Sequence, residues 1–213
     1  MDAYREILGG LPTTLMLGLL ALAIGAIGAL PLMFARRARS LLLRVPARAA
    51  IDLLRAVPPI VWLFLVFFGL TEFDVTLQPF TASVLALGVV SCAYLAEIYR
   101  GGFMAIDHGQ VEASQALGLR RRDALRFVLA PQALRVALPA IVTYALALLK
   151  DTSLAYTIGV REVLFRANEE TQLGAASPLS ILLFTAAIYA VLSIPTALLA
   201  RRLDTALRSK VAR

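Results

Sequence analysis

Apolar stretches of about twenty residues recur along this chain, separated by short polar segments, and they limit its folding more than any other feature. A hydrocarbon core about 30 Å thick needs roughly 20 apolar residues per helical crossing, and inside it every backbone N–H and C=O must find a partner within its own segment or in packed protein. Runs over residues 11–35, 51–70, 79–99, 133–155 and 179–200 reach that length. They predict an all-α integral membrane protein of about five transmembrane helices, forming one domain over residues 1–213. A hydrophobic content of 60% and a mean hydropathy of +0.79 agree with this, since soluble domains carry roughly 45–50% apolar residues. Cys92 is the single cysteine and lies inside an apolar run, so neither a disulfide framework nor a cysteine metal cluster can form within the chain. Asp2, Arg5 and Glu6 stand where a signal peptide would carry a basic region, so the first apolar run is expected to stay in the protein.

Each run carries features that bear on its role. Run one holds Thr13, Thr14, Gly18, Gly25 and Gly28, small residues that let helices approach closely in lipid. Run two contains Asp52, Arg55 and the pair Pro58 and Pro59. Two successive prolines remove two donors and force a kink or a break, which suits a helix beside a pathway; Asp52 and Arg55, three apart, can equally pair near the headgroups. In run three, Ser91, Tyr94 and Glu97 spread over roughly 120° of one side and are placed to line a path, although Glu97 can also pair with Arg100. Run four includes Lys150, Asp151, Thr152 and Ser153. Ions there must be paired, hydrated or turned to the bundle interior, so either Lys150 and Asp151 neutralise each other or Asp151 faces inward with Tyr144, seven residues before it.

The polar segment 104–130 is predicted to fold as two short helices. Asp107 and Gln110 read as an N-cap and capping-box pair, and Gly118 is placed to end the first helix in a left-handed conformation. In the second, Ala124, Leu125, Val128 and Leu129 form an apolar side while Arg120, Arg121, Arg122 and Arg126 stay wet. Pro131 suits the first turn of the span that follows. Residues 161–178, with Glu162, Glu169 and Glu170, read as a polar loop.

Basic residues set the orientation. Arg36, Arg37, Arg39, Arg44 and Arg48 follow run one; Arg100, Arg120, Arg121, Arg122, Arg126 and Arg135 lie between runs three and four; Arg201, Arg202, Arg208, Lys210 and Arg213 follow run five. Only Arg5, Arg161 and Arg166 fall on the other side. The positive-inside rule makes the first set cytoplasmic, with the N-terminus outside and the C-terminus inside. The net charge of +7 is thus accounted for by topology and does not indicate nucleic acid.

Glu112, Ala113, Ser114, then Gly118, then Val128, Ala130 and Pro131 resemble the EAA loop of ATP-binding-cassette importer permeases, with spacing that matches throughout. Ser114, Val128 and Ala130 replace Ala, Ile and Leu of that pattern. AEIYRGG at 96–102, PQALRVALPA at 131–140, LLKDTSLA at 148–155, TTLMLG near the start and RAVPPIVWLF in run two are similar to the polar amino acid uptake branch, the histidine and glutamine permease type. Where that branch shows RGTP, this chain has Arg55, Ala56, Val57 and Pro58 followed by Pro59, which predicts a local backbone of its own.

The resemblance implies a type I importer permease fold in the bacterial cytoplasmic membrane. It also implies a second permease subunit, identical or a sister chain, two cytoplasmic ATPase subunits carrying the ATP and Mg, and an extracytoplasmic substrate-binding protein. Loop 104–130 would then be the cytoplasmic coupling loop between spans three and four. Glu112, Ala113, Ser114, Leu117, Gly118, Leu119 and Pro131 would serve ATPase coupling, and Ser91, Tyr94, Asp151 and Thr152 the pathway of a polar amino acid or a related zwitterion such as an opine or ectoine. No cofactor is expected on this chain: its lysines, Lys150 and Lys210, lack the glycines of a phosphate-cradling loop. A membrane enzyme is disfavoured, because His108 is the single histidine and no base stands beside a nucleophile. The remaining alternative is a non-transporting scaffold subunit whose loop recruits a cytoplasmic partner.

Overall fold

The computed structural model describes residues 2–211, and among them every regular element is helical. Arg213 of the basic tail lies outside the described residues. A short α1 (Asp2–Leu8) leads through Gly9 and Gly10 into α2 (Leu11–Arg36). There follow α3 (Leu41–Ala56), α4 (Pro59–Phe67), a tight turn at Gly69–Phe73, and α5 (Pro79–Met104). Then come α6 (His108–Ala116), α7 (Arg121–Asp123), a wider turn at Ala124–Leu129, α8 (Ala130–Asp151), α9 (Val163–Gln172) and α10 (Pro178–Val211). Among the described residues four stretches are long and apolar enough to cross a membrane, Asp2–Arg36, Pro79–Met104, Arg121–Ile158 and Pro178–Arg202; the bent pair Leu41–Ala56 and Pro59–Phe73 makes a fifth if it is counted as one broken span.

That bent pair departs from the continuous span expected over 51–70. The helix begins at Leu41, stops at Ala56 and restarts at Pro59, and the second part turns 101° from the first. The prolines are the reason. A proline pushes the residue before it out of helical conformation, and Val57 and Pro58 take extended ψ values of 134° and 141°. Pro59 then opens α4, where a missing N–H costs nothing.

α5 is the central post. α2 packs most extensively against it, and α3, α4 and α8 also contact it. The α2–α5 approach depends on small residues: a Cβ at Gly25 would collide with the Ser91 side chain. One core cluster joins α2, α4, α5 and α8 through Leu17, Ala21, Leu63, Leu87 and Leu148. A second, nearer the basic end, joins α2, α3 and α5 through Ala29, Met33, Ile51 and Leu95. Large apolar residues such as Leu19, Ile27, Leu42 and Val191 point outward, as expected of surfaces covered by lipid or protein rather than water.

Residues 161–178 differ from the loop expected there. Glu162 is fully buried and caps α9: its Oε2 accepts from the Leu164 N–H at 2.9 Å and its Oε1 from the Phe165 N–H at 2.7 Å. The Tyr189 hydroxyl of α10 donates to Oε2 at 2.9 Å. Val163 and Ala167 then pack against Ile7 and Ile181, forming a cap over the end of the bundle opposite the basic residues. A capping acid and an apolar pair four residues apart outweigh the polar composition of the segment. Burial pushes the Glu162 carboxyl up, against the opposing pull of the Leu164 and Phe165 N–H groups and the Tyr189 hydroxyl.

Candidate coupling surface and translocation route

The polar segment between α5 and α8 builds a foot beneath the bundle. Asp107 is the N-cap of α6 and accepts from the Gly109 N–H at 2.7 Å. The capping box is only half formed, because the Gln110 side chain accepts instead from Gln132 Nε2 at 3.0 Å and so ties α6 to the first turn of α8. Gly118 has φ +69°; its N–H bonds the Gln115 carbonyl at 2.9 Å and the Leu119 N–H bonds that of Ser114 at 3.1 Å. This is a Schellman ending, which needs a residue that tolerates the left-handed region. Ser114 is buried and donates to the Gln110 carbonyl at 2.7 Å. Glu112, Ala113, Leu117, Gly118 and Leu119 are all exposed, Leu117 at 79%. Between the foot and the end of α2 lies a cavity of about 830 Å³, lined by Met33, Phe34, Ser114 and Ala124 among others.

The expected second short helix is not separate. α7 runs through the wide turn Ala124–Leu129 into α8 without interruption, so Arg121–Ile158 is one rod. Pro131 in the first turn of α8 accounts for the wide turn, since it cannot donate and its ring displaces the carbonyl four residues earlier. The apolar side is as the sequence predicts: Ala124 is buried and Leu125, Val128 and Leu129 are half-buried, while Arg120, Arg121, Arg122 and Arg126 are exposed.

Within the bundle, Ser91 and Tyr94 come together around Tyr144 of α8. The Tyr144 hydroxyl donates to Ser91 Oγ at 2.8 Å, and Ser91 in turn donates to the Leu87 carbonyl at 2.7 Å. The Tyr94 and Tyr144 rings stack with centroids 5.1 Å apart. Arg55, at the end of α3, places its guanidinium 5.2 Å from the centre of the Tyr94 ring. Asp151 and Thr152 stand apart from this group, about 10 Å further along α8. Thr152 is fully buried, donates to the Leu149 carbonyl at 2.7 Å, and turns its methyl towards Gly18. Asp151 is half-buried, Lys150 is exposed, and the two make no ion pair.

Charges nearer the basic end of the bundle pair across elements. Arg36 of α2 bonds Glu97 of α5 at 2.7 Å, and Arg100 bonds the same carboxylate at 2.8 Å. Asp52 pairs with Arg36 and Arg48, each at 3.5 Å, and not with Arg55 as its spacing suggested. Arg55 is thus the member of this site that local spacing missed, while Tyr144, placed by spacing with Asp151, joins Ser91 and Tyr94 instead. The available signal was the recurrence of Arg44, Arg48, Asp52 and Arg55 on one helical stripe.

Residues 21–209 match the family model of binding-protein-dependent transport system inner membrane components. The chain is 34% identical to the glutamine transport system permease protein GlnP of Escherichia coli, over 95% of this chain and 93% of that protein. It is 30% identical to the nopaline transport system permease protein NocM of Agrobacterium fabrum, over 89% and 82%. Among solved structures, an amino acid ABC transporter crystallised with histidines superposes with a TM-score of 0.86 at 31% identity, covering 94% of each chain. With the membrane-crossing helices, the hinged foot and these likenesses in agreement, the chain belongs to the family of binding-protein-dependent transport system inner membrane components.

Proposed function

We propose that this chain is the permease subunit of an importer that carries a polar amino acid or a related zwitterion, such as an opine, inward by alternating access. Two permease subunits, identical or sister chains, enclose the route; two cytoplasmic ATPases power it and an extracytoplasmic binding protein delivers the substrate. The foot formed by residues 104–130 sits in a cleft of an ATPase, with Leu117 and Leu119 as apolar anchors and Glu112 at the rim. Gly118 is its joint. Ala113 and Ser114 hold the first helix in shape, and Pro131 marks where the foot passes into span four. Tyr94 and Asp151 contribute to the route, Asp151 meeting the ammonium of the substrate, while Ser91 and Thr152 support it through Tyr144 and the α2–α8 contact.

One observation carries this reading. An exposed leucine at the tip of the foot, Leu117 at 79%, is separated by Gly118, Leu119 and Arg120 from Arg121–Ile158, the rod that runs into the span holding Asp151. Motion imposed on the foot therefore reaches the membrane interior through one short joint. A scaffold subunit would need no such rod.

The test is to place a photo-crosslinker at Leu117 in the assembled transporter and to measure uptake of a ¹⁴C-labelled amino acid mixture in proteoliposomes containing all components. Crosslinking should capture the ATPase, and Gly118→Trp should abolish both capture and uptake. Asp151→Asn should keep capture and lower uptake at least about tenfold. Uptake that survives Gly118→Trp, or equal loss of assembly in Asp151→Asn, overturns the corresponding assignment.

A further inference from the structure

The hydroxyl donors of Ser91, beside the stacked tyrosines, and of Thr152, further along α8, are both committed. Ser91 spends its hydrogen on Leu87 and Thr152 on Leu149, and both side chains are fully buried. Neither has a proton left for a solute carboxylate. Arg55 differs: it is exposed and makes no ion pair among the described residues, whereas Arg36, Arg48 and Arg100 around it are all paired.

Its position makes an idle charge hard to explain otherwise. Tyr94, over which it lies, is five residues, or about 7.5 Å, inside the end of the apolar run 79–99. An arginine facing lipid at that depth is costly and calls for a polar surrounding or an anionic partner. α3 supplies the first through a polar stripe beside its buried face. Ala47 and Ile51 turn to the core, and next to them Asp52 pairs with Arg36 and Arg48 at 3.5 Å, with Arg55 at the inner end of the same exposed stripe. The stripe ends at the helix break, where Val57 and Pro58 leave regular structure. A guanidinium offers a planar fork matched to a carboxylate, and the Tyr94 face beneath it fixes its plane.

We infer that Arg55 is the carboxylate-binding residue of the translocation route, holding the carboxylate of a zwitterionic amino acid over the Tyr94–Tyr144 stack beside the α3–α4 break, at a station separate from Asp151, which lies about 10 Å further along α8. The inference rests on the proposed transport of amino acids and specifies the side chain that recognises the acidic group.

The experiment uses the complete transporter in proteoliposomes, with a ¹⁴C-labelled L-amino acid mixture as probe. Arg55→Gln should lower uptake at least about tenfold while complex yield and basal ATPase rate stay at wild-type levels, and Arg55→Lys, which keeps the charge but lacks the planar fork, should transport more than Gln and less than wild type. Uptake unchanged in Arg55→Gln overturns the inference and leaves the transport reading intact. A Lys variant as defective as Gln, or failure of Arg55→Gln to assemble, likewise overturns it, the latter by showing that Arg55 is structural. A wild-type complex that takes up no label overturns the amino-acid reading itself.

Discussion

Glu162 illustrates how a residue outside the presumed route fixes the fold. It turns a polar stretch into α9 and holds that helix to α10 through Tyr189. Because burial raises its carboxyl above the ordinary glutamate value near 4.5, the folded protein keeps this proton to higher pH than the unfolded chain does. Stability from this group is therefore complete below about 4.5 and is lost as pH rises through the raised value. Glu162→Gln removes that dependence. Thermal melts of the purified complex at stepped pH should show wild type falling relative to the variant as pH increases from about 4.5; parallel curves would count against the assignment. Arg166, which pairs with Glu6 at 3.0 Å, and Arg161, which pairs with Glu169 at 2.7 Å, flank the same cap.

At the scale of elements, function depends on what is continuous and what is broken. Arg121–Ile158 is one rod despite Pro131 and Pro139, the wide turn Ala124–Leu129 absorbing the first. Leu41–Phe73, in contrast, is broken outright. If the rod transmits motion, its stiffness at the junction matters more than its sequence there. Two glycines inserted between Leu129 and Ala130, each costing about 1 kcal/mol in a helix, should leave ATPase binding and basal hydrolysis in place yet cut uptake at least about tenfold. Coupled transport that persists with the insertion would argue against a rigid linkage. Gly118 belongs to this scale too: its turn was readable in advance, since an Asp N-cap followed at the right distance by a glycine delimits a short helix whatever surrounds it. The opposite holds for α7, whose merger with α8 depends on packing of Ala124 and Leu125 that no local signal announces.

Taken whole, the molecule is a bundle around α5 with a basic, hinged end and a capped, acid-containing end. The proposed orientation places the first in the cytoplasm. In a Cys92→Ala background, a cysteine at Leu117 should be protected from a membrane-impermeant maleimide added to intact spheroplasts and one at Leu173, 72% exposed beyond α9, should react; the reverse pattern would invert the topology. Apolar run lengths, the proline break, the Asp107 cap and the distribution of arginines were all determined by the sequence alone, because each follows from the covalent chain and its solvent over a few turns. Partner choice was not. Asp52 turns to Arg36 and Arg48 instead of Arg55, Glu97 reaches Arg36 sixty-one positions away as well as Arg100, and Arg55 comes to rest on Tyr94. Those pairings required the tertiary structure, because a charge at membrane depth takes whichever opposite charge or aromatic face the packed helices bring nearest, and sequence distance does not measure that separation.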